Sequence, residues 1–279
     1  MNAAMRRMIV LGLLLAASNT GWAQERVKLV DPPVGLALRI ESTTTSKGGS
    51  ATVKGGGGAS RSEVSLTRKR LLERRHLDDA LGGKVTYRVL ADRIVSGVDG
   101  REESKAGPLD GLTLEGMKNG AGNWVFTPSQ GTLRGDAVSE LDLLAAFENR
   151  RWLPGREVAV GESWEFSPGF IRASLRRDVA SAQVVGMMKL RAVEKRADGV
   201  RVAVIDCSIR GGGRERTATD AEAGAEGNLV GVITVNLDQP GHIAWHLNGT
   251  LLSGSRAGDT ESVVRLPMTL KLVIQPLGS

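Results

Sequence analysis

Apolar and polar positions alternate over most of this chain, the two-residue period of a half-buried strand. The cleanest run is Val85-Thr86-Tyr87-Arg88-Val89-Leu90-Ala91. Similar patterns predict strands at Leu36–Ile40 running into Ser42–Thr45, and at Leu112–Gly116, Asn123–Phe126, Glu157–Val160 and Ser163–Phe166. Met188–Val193, Val200–Ile205, Leu229–Leu237, Ile243–Leu247 and Val263–Ile274 add to them. Asp99-Gly100 and Asp198-Gly199 are hairpin signals, because a tight turn needs positive φ and these residues tolerate it. Lys47–Gly58 and Arg210–Gly227 are rich in glycine and poor in packing side chains, so both read as loops. A phosphate cradle at the first would need a following helix and a P-loop lysine, and neither is present. Residues 62–76 mix Val64, Leu66, Leu71 and Leu72 with Arg68, Lys69, Arg70, Arg74 and Arg75. They read as a long strand paired with the one before the glycine loop, with the basic residues on a solvated face.

The period changes to that of a helix once in the middle of the chain. Ser139 is placed to cap, with Asp142 three residues later as its weak partner. Leu141, Leu144 and Ala145, with Glu148, form one stripe; Leu143 and Phe147 form its neighbour. Pro154-Gly155 is a stop signal. A short echo links the parts on either side: Trp124-Val125-Phe126 leads to Gly131-Thr132-Leu133, and Ile243-Ala244-Trp245 leads through Asn248 to Gly249-Thr250-Leu251. This suggests two similar β halves.

The first residues have the layout of an export signal. Arg6 and Arg7 precede the apolar run Met8–Ala17, and Gly21-Trp22-Ala23 supplies small residues at a cleavage site. Cleavage after Ala23 is expected. An uncleaved anchor is the competing reading, although the run is shorter than the ~20 residues that span a bilayer. No later segment is apolar for long enough to span. The expected organisation is therefore a signal peptide at 1–23, an irregular lead-in at 24–35, a β half at 36–138, a linking helix at 139–151 and a second β half at 152–279.

Composition narrows the function classes. The formal charge of +6 falls to about +4 once Arg6 and Arg7 leave with the signal, a mild excess that favours weak contact with anionic surfaces. Few aromatics and no recognition motif argue against nucleic acid. Cys207 is the single cysteine, so no internal disulfide can form. It alternates with Ile205 and Ile209 and reads as a small core hydrophobe.

Candidate chemistry is sparse. His242 and His246 have a metal-like spacing, but in a strand context they would sit ~13 Å apart. His76 neighbours Asp78 and Asp79, yet Ser253 lacks the strand-to-helix elbow of a serine nucleophile. Glu102-Glu103 and Asp78-Asp79 fall in solvated segments. Asn248-Gly249-Thr250 fits a glycosylation sequon. Trp124, Trp152 and Trp164 read as core anchors beside turns rather than a sugar platform. No catalytic residue, metal site or cofactor is expected, and no ligand-binding residue can be named from the pattern.

Leu153-Pro154-Gly155-Arg156-Glu157-Val158-Ala159-Val160-Gly161-Glu162-Ser163-Trp164 resembles a segment of uncharacterised β-rich exported proteins of bacteria. These carry Leu-Pro, a Val-x-Val strand and Gly-Glu-Ser-Trp or Gly-Asp-Ser-Trp. The resemblance implies a bacterial, exported, β-rich protein and no activity. Together the readings predict an all-β protein with large curved antiparallel sheets and one principal helix near 139–151. The sheets would form either a half-barrel around an apolar groove or a packed pair. The expected role is non-catalytic: an envelope-associated or binding protein, periplasmic or secreted, for an apolar or lipid ligand. An assembly module that pairs with another envelope protein is the alternative, and a cell-wall hydrolase a more distant one.

Overall fold

The computed structural model describes residues 25–29, 35–77, 83–133, 135–149, 154, 156–166, 183–216 and 222–278. The expected signal peptide at 1–23, Trp152, Asp78 and Asp79 lie outside them. The chain is β-dominated. Strands β1 (Arg26–Val27), β2 (Ala37–Gly55), β3 (Gly58–Leu77), β4 (Lys84–Val98), β5 (Arg101–Ala106), β6 (Thr113–Lys118) and β7 (Trp124–Pro128) precede helix α1 (Asp136–Glu148). After it come β8 (Val158–Ala159), β9 (Ser163–Glu165), β10 (Gln183–Lys195), β11 (Arg201–Arg216), β12 (Glu222–Asn236), β13 (Ile243–Ala257) and β14 (Thr260–Pro276).

The two β stretches that flank α1 join in one 12-stranded antiparallel sheet, in the order β7-β6-β4-β3-β2-β14-β13-β12-β11-β10-β9, with β5 on β4. The join is made by β2 and β14, whose register runs from Leu38 opposite Pro276 to Lys54 opposite Glu261. A separate two-stranded ladder pairs β1 with β8. The alternation predicts the inner face well. Val85 and Tyr87 are fully buried and Val89 nearly so; on the other side Met188, Leu190, Ile205 and Ile233 are fully buried.

Both glycine-rich stretches differ from their reading as loops. Lys47–Gly55 is the distal part of β2 and Arg210–Arg216 that of β11, with Glu222–Gly227 opening β12. Antiparallel pairing is made by the backbone, so a segment without bulky side chains can complete a ladder if its neighbours supply the other edge. Only Gly56 and Gly57 stand between β2 and β3. Gly48 lies in a bulge of β2, between Ser46 and Gly49, with φ of 68°, a conformation that side chains disfavour. The turns at Asp99-Gly100 and Asp198-Gly199 lie where the sequence puts them; Asp99 itself has φ of 50°.

The sheet wraps around α1. Six strand steps separate β7 from β13, which a flat sheet would space ~29 Å apart. Yet Ala137 and Leu144 of α1 pack in the cluster of Trp124 and Phe126 on β7. Phe147, three residues further on, lies 6.2 Å from the Trp245 ring of β13. A helix is only ~10–12 Å across with its side chains, so the sheet must curve to touch it from both sides. This is the cradle and not the packed pair of sheets. Gly231 and Gly249 permit the curvature: a Cβ at Gly249 would lie 1.7 Å from the Asn228 carbonyl oxygen, and one at Gly231 2.0 Å from that of His246. β13 runs straight through Asn248-Gly249 to Ala257, ten residues past the Leu247 end expected for this strand. The echoed Gly131-Thr132-Leu133 is not a strand, so the echo has no structural counterpart.

Helix α1 starts three residues before the expected cap. Gly135 is the N-cap, with no side-chain hydrogen bond, and Ser139 lies within the helix. Burial of Ala137 and the favourable placement of Asp136 in the first turn outweigh the missing cap. Asn149 closes the far end, its N–H donating to the Ala145 carbonyl at 2.9 Å. Among the described residues no helix is long and apolar enough to cross a membrane.

Candidate functional site

The inner face of the sheet is divided, and the division follows from the order of strands. One row of paired residues crosses it as Leu190, Ile205, Ile233, Trp245, Leu272, Ser42 and Arg70. The next reads Met188, Cys207, Gly231, Leu247, Leu270, Thr44, Arg68 and Ile94. The wall made by β10 to β14 is apolar, and the wall made by β2 to β4 is polar and charged at the same level.

Arg68, Arg70, Leu72 and Arg74 share the inward phase of β3, while Lys69 and Arg75 point out and are exposed. The expectation that the basic cluster forms a solvated face is thus wrong for three of its arginines. Alternation forces this, because Leu72 belongs to the core and residues two and four away must follow it inward. Their charges are met by carboxylates. Arg68 donates through Nε and Nη2 to Asp92 at 2.8 and 2.6 Å, and through Nη1 to Glu140 at 2.7 Å. Arg70 Nη2 reaches Glu140 at 2.7 Å and Asp92 at 3.3 Å. Deeper in the sheet, Arg74 donates through Nε and Nη2 to Glu148 at 2.6 and 2.8 Å, and Tyr87 adds its hydroxyl at 2.6 Å.

Helix geometry explains the pairing. Glu140, Leu144 and Glu148 recur every four residues on one face of α1, and the two carboxylates are ~12 Å apart along its axis. Arg70 and Arg74 lie ~13 Å apart along β3. Two rulers of different pitch therefore match, and α1 is clasped along β3 by charge at both ends of its buried stripe.

Asp92 is positioned by a bulge. Leu90 is the extra residue of β4, which shifts the phase so that Val89 and Asp92 both face inward. The Asp92 carbonyl accepts the Gly107 N–H at 2.7 Å, and its carboxylate packs on Gly107, where a Cβ would lie within 2.4 Å of it. Burial alone would raise the Asp92 pKa. The hydrogen bonds and charges of Arg68 and Arg70 outweigh that and hold it below its ordinary value. The Arg68 and Arg74 guanidinium groups are held above theirs against burial, by Asp92 with Glu140 and by Glu148 respectively. Asp92 is therefore a carboxylate at neutral pH and acts as an acceptor rather than a proton donor.

Towards the hairpin tips, beyond the part that α1 covers, the inner face is half-exposed and apolar. The same alternation carries Leu66, Leu229, Leu251, Leu266 and Met268 onto it, among Gly211, Gly227 and Gly249. The β2–β3, β4–β5 and β13–β14 tips all lie at this end.

The residues singled out by the sequence lie elsewhere. His242 precedes β13 and His246 is exposed on it, in the strand context expected. Among the described residues no three His, Cys, Asp or Glu side chains converge as metal ligands. His76 stacks edge-on with Trp124 at 5.7 Å. Ser253 is in β13, and Glu102 and Glu103 are exposed on β5. Trp124 and Trp164 are buried core anchors. Cys207 is buried between strands, which pushes its thiol up to about 12. Leu153 and Gly155 lie outside the described residues; the described part of that segment, 156–164, knits the two sheets together. Val158 is fully buried in β8, Gly161 turns with φ of 89°, and its N–H donates to the Leu190 carbonyl at 2.7 Å. Asp92, Glu140 and Glu148 are the residues that sequence reasoning missed. Their signal was the inward phase of the β3 arginines, which requires buried carboxylates opposite.

Fold and site thus define a β-dominated protein whose curved sheet clasps a helix by buried ion pairs and carries half-exposed apolar side chains on its inner face towards the hairpin tips. No family model matches the chain, and no curated protein does. Among solved structures it is similar to lipovitellin, described for its lipid–protein interactions, at 8% identity and a TM-score of 0.41. That match covers 88% of this chain but only 26% of lipovitellin, so the chain spans about a quarter of it. An outer membrane channel from Pseudomonas putida F1 matches at 10% identity and a TM-score of 0.23, covering 93% of this chain and 99% of that one. The Salmonella type III secretion injectisome secretin InvG matches at 9% and 0.21, covering 98% of this chain and 70% of that one. Likenesses this distant carry no argument about function.

Proposed function

We propose that the protein is an exported, non-catalytic binding protein of the bacterial envelope that holds an apolar or lipid ligand against the inner face of its sheet. The observation that carries this reading is the row of half-exposed side chains Leu66, Leu229, Leu251, Leu266 and Met268. They sit on the concave side of the sheet, where a packed protein would cover them. Glycines between them leave room for a chain-like ligand to lie close to the backbone. The leader-like Met1–Ala23 supports export to the periplasm or beyond. The matched charges around Asp92 support a structural rather than catalytic use of the buried acids.

Native mass spectrometry of the protein purified gently from its host, followed by solvent extraction, tests the reading. A co-purifying apolar molecule near one per chain is expected; a bare polypeptide mass overturns it. That second outcome favours an assembly role, for which the outward Val185 and Met187 on β10, beside the short end strand β9, are the observation.

A further inference from the structure

The two arginines nearest the open apolar face differ from Arg74 in how they are closed off. The Arg68 and Arg70 side chains keep 13% and 10% of their surface, against 4% for Arg74. Leu66, half-buried, lies next to Arg68 on the side of the hairpin tips, and Ile94, also half-buried, lies directly opposite Arg68 on β4. Arg70 Nε is buried without a hydrogen-bond partner among the described residues, so a donor remains unused in the cluster.

Their two carboxylate partners are not equally fixed. Asp92 is locked by the bulge of β4, by contact with Gly107 and by a bond from the Leu109 N–H at 3.4 Å. Glu140 belongs to the N-terminal half of α1, whose first turn has no side-chain cap. The C-terminal half is held independently by Glu148 on Arg74 and Tyr87, and by Asn149, whose Oδ1 accepts the Trp124 N–H at 3.0 Å. Of the two acids, Glu140 is the one carried by the helix, and it meets β3 through the side chains of Arg68 and Arg70.

We propose that Arg68 and Arg70 are the head-group site for a carboxylate-headed amphiphile, and that Glu140 occupies this site as a built-in stand-in until the ligand displaces it. This rests on the reading of the inner face as an apolar ligand site. A planar, singly charged head replaces Glu140 charge for charge and oxygen for oxygen, so the buried cluster stays neutral. The alkyl chain then runs from Arg68 past Leu66 towards Leu251, Leu266 and Met268. The N-terminal half of α1 lifts, and the half held by Glu148 stays as the hinge.

The test compares oleate with oleyl alcohol, which share a chain and differ at the head. In the unmodified protein, oleate increases amide hydrogen exchange over 136–142 and leaves 143–148 protected, while the alcohol does neither. In Glu140→Gln, oleate binds about tenfold tighter than in the parent, as expected when a competing charge-assisted bond is removed, and the alcohol binds as before. Exchange at 136–142 that oleate and the alcohol change equally overturns the head-group site, and this arm needs no variant to fold. So does equal affinity for the two ligands in Glu140→Gln. If neither ligand binds either protein, the apolar-ligand reading itself fails.

Discussion

Arg74 and Glu148 are both almost removed from water, so their value lies in the pairing rather than in either charge. Glu148→Gln keeps the shape and removes the counter-charge. It should destabilise the protein by about 3–5 kcal/mol, read as a lowered urea midpoint with unchanged slope. Ala in place of Lys54, which meets Glu261 at 3.8 Å on the exposed surface, should move the midpoint little. Asp92 sets the response to acid. Its folded pKa lies below its unfolded value of ~3.9, so its contribution is complete above that value and is lost as pH falls through the folded one. The urea midpoint should therefore fall steeply below about pH 4. Asp92→Asn should be less stable at neutral pH and show a shallower fall; an equally steep fall would assign the acid response elsewhere. These residues were half legible in the sequence. The inward phase of Arg68, Arg70 and Arg74 could be read from Leu72. Which acids would meet them could not, because Asp92 depends on a bulge and Glu140 on how α1 docks.

Elements were easier to find than to bound. Alternating apolar side chains mark Val85–Ala91 and Met188–Val193 clearly, within the longer β4 and β10, since burial writes itself into side-chain type. The distal parts of β2, β11 and β12 carry little such signal. Their order comes from neighbouring ladders, which sequence spacing does not record. Glycines show the same gap between type and role. Gly249 looks like a turn former and serves instead as a close approach of two backbones. Gly249→Ala would push a Cβ into the Asn228 carbonyl, a backbone atom that cannot rotate away. The cost should reach or exceed the upper end of the ~1–3 kcal/mol usual for overpacking, seen as a lowered thermal midpoint. Gly254→Ala is the control: it meets its nearest atom at an ordinary 3.4 Å and should be tolerated.

At the scale of the whole molecule, the expected β-dominated architecture with a helix between two β stretches is present, and the continuity between the stretches was not readable. No local signal says that a strand near the start pairs with one at the end. The two core clusters, one around Tyr87 and one around Ile205, share the sheet and the helix, with Phe147, Ile243 and Leu272 packed against both. Unfolding should therefore be one transition. Val85→Ala in the first cluster and Ile233→Val in the second should each shift the same single calorimetric peak; two separable peaks would show independent halves.

The β2–β14 ladder also sets a timetable. A chain delivered from its N-terminus, by a ribosome or through a membrane pore, presents Ala37–Gly55 long before its partner Thr260–Pro276. The centre of the sheet cannot be completed before nearly every other residue has arrived. Such long-range closure makes folding slow and leaves one flank of β2 waiting. The residues on that waiting flank include Ser42, Thr43, Thr44 and Thr45, then Ser50 and Ala51. A small, hydroxyl-rich strand is among the less adhesive that could be left in that position. The glycine, serine and threonine content that hides β2 from a reader of the sequence is also what keeps it available until its partner arrives.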